Sequence, residues 1–277
     1  MARERPFARA VVNWLAAAIL GVIQGLTEFL PVSSTAHLLI GGRLLGFQDP
    51  GGIFTVMIQL GSILAVVWLY RVKIVRIVRD LPTDSEARHF VVMLLVAFVP
   101  AAVAGALFSG YVKRVLYTTP AVIAVTFIAG GIVMLLVERY RPRPVVENAD
   151  HTSLARAFGI GCCQALALIP GVSRSGATIV GAMLFGIDRP AAAEFSFFLA
   201  IPTLSAAFAH ELWEARHGLS GARVEEIAIG FVMAFVASVL VIRPFLGVVR
   251  RAGFVPFAWY RIAAGLAIAG ALAAHWL

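Results

Sequence analysis

Long apolar runs separated by short basic loops set the pattern of this chain. Six runs, at about 54 to 70, 89 to 108, 118 to 138, 191 to 210, 224 to 243 and 256 to 276, come close to the roughly 20 residues an α-helix needs to cross a bilayer. Two further apolar regions, about 10 to 47 and 155 to 187, are interrupted near their middles by LPVSST and IPGVSRS. Pro31, Pro170 and Gly171 break helical hydrogen bonding there, and the neighbouring hydroxyls can satisfy the freed backbone groups. Each region therefore reads as two half-helices joined by a polar turn at membrane depth. The expected fold is an all-α polytopic membrane protein of six transmembrane helices plus two re-entrant helix pairs.

The two broken regions resemble each other at an offset of 140 residues. Gly21, Gln24, Leu26, Val32, Ser33, Gly41, Leu44 and Gly46 recur as Gly161, Gln164, Leu166, Val172, Ser173, Gly181, Leu184 and Gly186. The chain is thus expected to be one membrane domain, 1–277, with one repeat over about 10–138 and a second over about 155–276. A re-entrant pair followed by three crossings, an odd number, inverts the second repeat relative to the first. Inverted repeats with matching broken helices point to a site at their interface near the midplane.

Composition narrows the class. The chain is 60% hydrophobic and 14% charged, with a mean hydropathy of +0.90, which excludes an ordinary soluble domain. The net charge of +8 lies in loops between apolar runs, a signature of topology and not of a nucleic-acid partner. Thirteen Lys and Arg fall in the loops 71–88, 139–156, 189 and 243–251, against seven in 3–9, 113–114 and 216–223. The richer side is the cytoplasmic one by the positive-inside rule, which places both termini outside. A complete crossing by residues 10 to 30 would change that topology. The N-terminal stretch MARERPFARAVVNWLAAAIL is read as uncleaved, because its apolar pattern runs on into the first broken region. Cys162 and Cys163 are adjacent and serve as small packing residues, without metal-ligand spacing.

Within this frame the stretch QGLTEFLPVSSTAHLL, residues 24 to 39, is conspicuous. Glu28 lies deep in an apolar half-helix, where an ionisable group is costly and by default faces a cavity and a partner. Gln24 is four residues earlier, on the same helical face, so both can offer oxygens to one hard cation. Ser33, Ser34 and Thr35 supply hydroxyls, and His37, one turn beyond Ser34, can activate that hydroxyl or a water. The second broken region supplies Arg174. Ser173, Ser175 and Thr178 surround it, and Gly171 and Gly176 let backbone amides approach a ligand at a helix N-terminus. Such an end, with hydroxyls and a forked guanidinium, suits a phosphate. Carboxylate, hydroxyl, histidine and arginine are together the parts of phosphoryl transfer.

At these residues the chain resembles the bacitracin-resistance family of undecaprenyl-diphosphate phosphatases. The carrying motifs are QGLTEFLPVSSTAHL (24 to 38), IQLGSILAVV (58 to 67), ALALIPGVSRSGATI (165 to 179) and EFSFFLAIP (194 to 202), and the likeness runs over essentially the whole chain. The resemblance implies an integral membrane hydrolase of the bacterial cytoplasmic (inner) membrane, releasing phosphate from a polyprenyl diphosphate lipid with a divalent cation, Mg²⁺ or Ca²⁺. It implies Glu28 as the essential glutamate and Gln24 at a position that takes Glu or Gln. Ser34 and His37 stand at nucleophile and base positions, with Arg174, Ser173, Ser175 and Thr178 on the phosphate. Glu194 opens the next span with spacing that suits a supporting ion-pair or hydrogen-bond role. Direct attack by water remains an alternative to a phosphoserine. The competing function is a secondary transporter or flippase for an anionic lipid, since broken inverted repeats are common in transporters; a transporter has no use for a nucleophile beside Glu28. Whether a second copy of the chain associates as a homodimer is left open by the sequence.

Overall fold

The computed structural model describes residues 6–112, 119–215 and 221–274. Among them the secondary structure is helical, without a strand. The first broken region gives α1 (Pro6–Thr27) and α2 (Ser34–Leu45), followed by α3 (Ile53–Leu69), the short basic α4 (Arg71–Asp80), α5 (Ser85–Tyr111) and α6 (Pro120–Tyr140). The second broken region gives α7 (Leu154–Ala165) and α8 (Arg174–Leu184), followed by α9 (Arg189–Ala215), α10 (Gly221–Ala252) and α11 (Val255–Ala273).

All six expected spans occur as helices long and apolar enough to cross a membrane: Pro50–Leu69, Ser85–Phe108, Pro120–Tyr140, Arg189–Glu214, Arg223–Ala252 and Val255–Ala273. α1 and α7 carry shorter apolar stretches, Val12–Thr27 and Leu154–Leu168. Of the seven basic residues assigned to the sparser side, Arg3, Arg5, Lys113, Arg114 and Arg216 lie outside the described residues. So do residue 118 and residues 275 and 276, at the ends of two expected spans.

The two breaks share the geometry of one entry and one exit residue as well as a sequence. Ser33 and Ser173 enter α2 and α8 with φ of 69° and 75°, the two non-glycine residues of positive φ among the described residues. A left-handed conformation costs such a residue about 1–2 kcal/mol, so its recurrence at matched positions marks a required turn. Gly46 and Gly186, also matched, leave α2 and α8 with φ of 65° and 77°, the left-handed ending that favours glycine.

Packing crosses between the halves. α1 lies along α10 and α7 along α5, while α3 packs on α9 and α6 on α11. The recurring glycines explain the closeness of the first two contacts. A Cβ on Gly21 would collide with the carbonyl oxygen of Gly230, and one on Gly161 with that of Ala97. Phenylalanines fill the centre. Phe29, in the first break, meets Phe197 edge-on with ring centroids 5.2 Å apart, and Phe195, Phe198 and Phe254 are buried with them. At the start of α9, Glu194 pairs with Lys73 at 2.8 Å, which also binds Asp150 at 2.6 Å. An ion pair is one of the two interactions that the position of Glu194 suggested. Cys162 and Cys163 are free thiols.

Candidate active site

α1 ends at Thr27, four residues before Pro31, whose ring nitrogen has no hydrogen to give the Thr27 carbonyl. Glu28 still bonds back through its amide to the Gln24 carbonyl at 2.9 Å, so its side chain leaves the last turn of the helix on the face that carries Gln24. Its carboxylate accepts three hydrogen bonds. Gln24 Nε2 donates to Oε2 at 2.7 Å, Ser34 Oγ donates to the same oxygen at 2.6 Å, and Arg174 Nη2 donates to Oε1 at 2.8 Å. The Glu28 and Arg174 side chains are 4% and 11% exposed, so this is a buried pair. Its members would each be strongly unfavourable alone.

Arg174 is the first residue of α8, and Ser173 caps that helix by accepting from Gly176 N at 3.0 Å. The guanidinium reaches the Ser196 carbonyl at 2.9 Å and its hydroxyl at 3.2 Å through Nη1. Its Nε is buried without a partner. Thr178 Oγ1 lies 2.7 Å from Ser196 Oγ, so Thr178 holds the residue that holds Arg174. Ser175 donates to the Leu30 carbonyl at 2.8 Å, tying the second break to the first.

A cavity of about 660 Å³ ends at this cluster. Glu28, Ser33, Ser34, Thr35, Ser173 and Arg174 line its polar end. Its flanks are largely apolar and come from the second halves of two long helices, with Ala101, Ala102 and Ala106 on α5 and Leu204, Ala206 and Ala207 on α9, while Gln59, Thr203, His210 and Glu211 add polar groups to the lining. The structure therefore brings together Gln24, Glu28, Ser34 and Arg174. Ser175, Gly176 and Thr178 stand behind that surface and brace it.

His37 lies elsewhere. Its Nδ1 is 2.8 Å from the Ser33 carbonyl and its Nε2 is 2.6 Å from the Tyr260 hydroxyl, with the ring stacked on Tyr260 and tilted against Phe127. Both ring nitrogens are thus engaged away from Ser34, whose hydroxyl donates to the carboxylate of Glu28 instead.

Two residues went unassigned in the sequence. Arg261 on α11 is 1% exposed and gathers the breaks from behind. Nη1 donates to the Pro31 and Val172 carbonyls at 3.1 and 3.0 Å, and Nη2 to those of Thr126 and Gly171 at 2.9 and 2.8 Å. Its signal was legible, a lone arginine inside the run FAWYRIAAG, since charges inside a span are costly and seldom idle. Gln164, the repeat counterpart of Gln24, also lines the cavity.

Among the described residues, no three or more His, Cys, Asp or Glu side chains are grouped to hold a metal ion unaided. One buried oxygen near Glu28 is nevertheless without a partner: Gln24 Oε1. An amide oxygen beside a carboxylate is a hard donor set, and Mg²⁺ often takes one or two protein oxygens with the rest from substrate phosphates and water. The residues present fit a divalent cation that arrives with a phosphorylated ligand.

The family described as bacitracin resistance protein BacA matches residues 17–267. Similar curated proteins include the undecaprenyl-diphosphatase of Cereibacter sphaeroides, 51% identical over 94% of this chain and 98% of that protein. That of Paracoccus denitrificans is 50% identical over 95% and 99%. Undecaprenyl-diphosphatase 1 of Agrobacterium fabrum is 51% identical over 91% and 94%.

Proposed function

This chain belongs to the BacA family of bacitracin resistance proteins, a multi-pass membrane family, and from that premise we propose that it hydrolyses undecaprenyl diphosphate to undecaprenyl phosphate and inorganic phosphate. The activity would return the carrier lipid to peptidoglycan synthesis and confer bacitracin resistance. The observation that carries the reading is the Ser34 hydroxyl donating to Glu28, itself paired with Arg174, at the end of an apolar-walled cavity.

Ser34 Oγ attacks the terminal phosphorus as its proton passes to Glu28. The bond from that phosphorus to the bridging oxygen breaks, and undecaprenyl phosphate leaves. Water then attacks the phosphoserine phosphorus, the bond from phosphorus to Ser34 Oγ breaks, Oγ takes back the proton from Glu28, and inorganic phosphate departs. Arg174 turns its unpartnered Nε edge to the phosphate oxygens, where an arginine compensates charge as bond cleavage proceeds. Ser33, Thr35 and Ser173 supply hydroxyls along the same wall. His37 keeps Ser33 in its left-handed turn and so aims Ser34. Gln24 and Glu28 would hold the divalent cation, Mg²⁺ or Ca²⁺, which when bound supplies further charge neutralisation for the diphosphate.

The two broken pairs would be re-entrant and the repeats inverted, in the bacterial cytoplasmic membrane. The cavity walls belong to the halves of α5 and α9 that run toward residues 112–119 and 215–221, the loops poorer in Lys and Arg. That supports access from the outer side.

Purified protein given undecaprenyl diphosphate with Mg²⁺ or Ca²⁺ is expected to release phosphate, and Ser34→Ala to lose nearly all of that activity. Lipid binding without phosphate release across metals and detergents would favour a transporter or flippase. Substantial activity in Ser34→Ala would move the attack to water.

A further inference from the structure

Gln24 and Gln164 hold matched positions in the two repeats, yet the reaction described above uses only the first. Gln164 is 2% exposed. Its carbonyl lies 3.2 Å from Thr203 Oγ1, which shares its single proton between that oxygen and the nearer Leu199 carbonyl at 2.8 Å, and its amide nitrogen is buried without any partner. A buried donor left unpaired is unfavourable, and buried polar groups in folded proteins are otherwise hydrogen-bonded. Here the side chain lines the same cavity as Glu28 and Arg174, so an acceptor carried by the ligand would complete it.

Its place along the cavity says which acceptor. Thr203 directly precedes Leu204, and with Ala206 and Ala207 these residues form one continuous flank of the cavity on α9. The Gln164–Thr203 pair therefore stands where the polar end meets the apolar wall. A lipid diphosphate has a matching boundary. Its terminal phosphate is wholly polar, whereas its other phosphate is esterified to the chain. With the terminal phosphate at Ser34 and the chain against α5 and α9, the esterified phosphate falls between them.

We propose that Gln164, held beside Thr203, donates its free amide N–H to the phosphate esterified to the lipid. The assignment rests on the substrate reading above. It makes Gln164 a binding residue for the lipid phosphate that remains after hydrolysis, and so a determinant of both substrate affinity and product release.

The test compares two ligands that each carry one of the two phosphate environments. Undecaprenyl phosphate and inorganic phosphate are titrated separately against full-length protein in detergent, followed by intrinsic tryptophan fluorescence, a readout that needs no turnover. Gln164→Leu is expected to weaken undecaprenyl phosphate binding about tenfold, the scale of one hydrogen bond to a charged group, and to leave inorganic phosphate binding unchanged. Thr203→Val should weaken the lipid ligand in the same direction by less. Unchanged affinity for the lipid phosphate in folded Gln164→Leu, or equal loss of both ligands, overturns the proposal. If Gln164→Leu does not fold, wild-type affinity for the lipid phosphate in Thr203→Val overturns it alone. Wild-type protein that fails to hydrolyse undecaprenyl diphosphate would sink the hydrolase reading and leave this binding comparison standing.

Discussion

The two broken helix pairs share the geometry by which their second half-helix begins and ends, and have opposite chemistry. Both enter their second half-helix through a serine of positive φ and leave it through a glycine of positive φ. At the 140-residue offset, however, Glu28 faces Leu168, Ser34 faces Arg174 and His37 faces Ala177. One turn has the carboxylate and the hydroxyl, and the other has the guanidinium. What joins them is the ion pair from Glu28 to Arg174, 146 residues apart in sequence. The matched breaks differ at a few positions, and those differences make them complementary. Neither charge is favourable when buried without the other.

Breaking that complementarity should have the largest effect. Glu28→Ala and Arg174→Ala each leave a buried charge unpaired, which costs about 3–5 kcal/mol, and each removes a group that meets the phosphate. Phosphate release should fall at least about a thousandfold in either variant. Recovery of activity in the double Ala variant would show that pairing, and not direct contact with the phosphate, is what the two residues provide.

Arg261→Ala comes next, because it frees four carbonyls, two of them at the repeat-related residues Pro31 and Gly171. We expect a loss of about 3 kcal/mol, read as a lower melting temperature in detergent, with partial rescue by Arg261→Lys. A wild-type melting temperature in Arg261→Ala would mean the breaks hold themselves.

The matched glycines test the halves for equality. Gly21→Val and Gly161→Val each push a side chain into a backbone carbonyl of a long helix, an overpacking cost of about 1–3 kcal/mol. Similar shifts in melting temperature are expected, and a shift in only one variant would show that one crossing contact dominates the fold.

The smallest difference lies at the two serines. Ser33 makes no capping hydrogen bond with its side chain, whereas Ser173 accepts one from Gly176 N. Ser33→Gly should therefore gain up to about 1 kcal/mol from relief of its left-handed backbone, while Ser173→Gly should come out near zero. Equal gains by thermal unfolding would remove the distinction between the two turns.

Much of this was legible beforehand for physical reasons. A membrane span must satisfy its backbone internally and present apolar side chains outward, so length and hydropathy mark it without tertiary information. Prolines and glycines in a long apolar run marked the breaks, and lone charges marked Glu28 and Arg174. What the sequence left undetermined was direction. His37 follows Ser34 by one turn, but in a short helix wedged between neighbours one turn is enough to face Phe127 and Tyr260 instead of the cavity. Ser175 and Thr178 share a motif with Arg174, yet they point to Leu30 and Ser196, partners on other segments that local spacing does not reveal.

The crossed packing also sets a timetable. α1 lies along α10, and Glu28 waits for Arg174, 146 residues downstream. At about 5–20 residues per second, that delay is roughly seven to thirty seconds of synthesis. Through that interval the growing chain has a carboxylate without its counter-ion and a helix without its neighbour. Whatever machinery inserts this protein must shelter the first broken pair from lipid until the second half emerges.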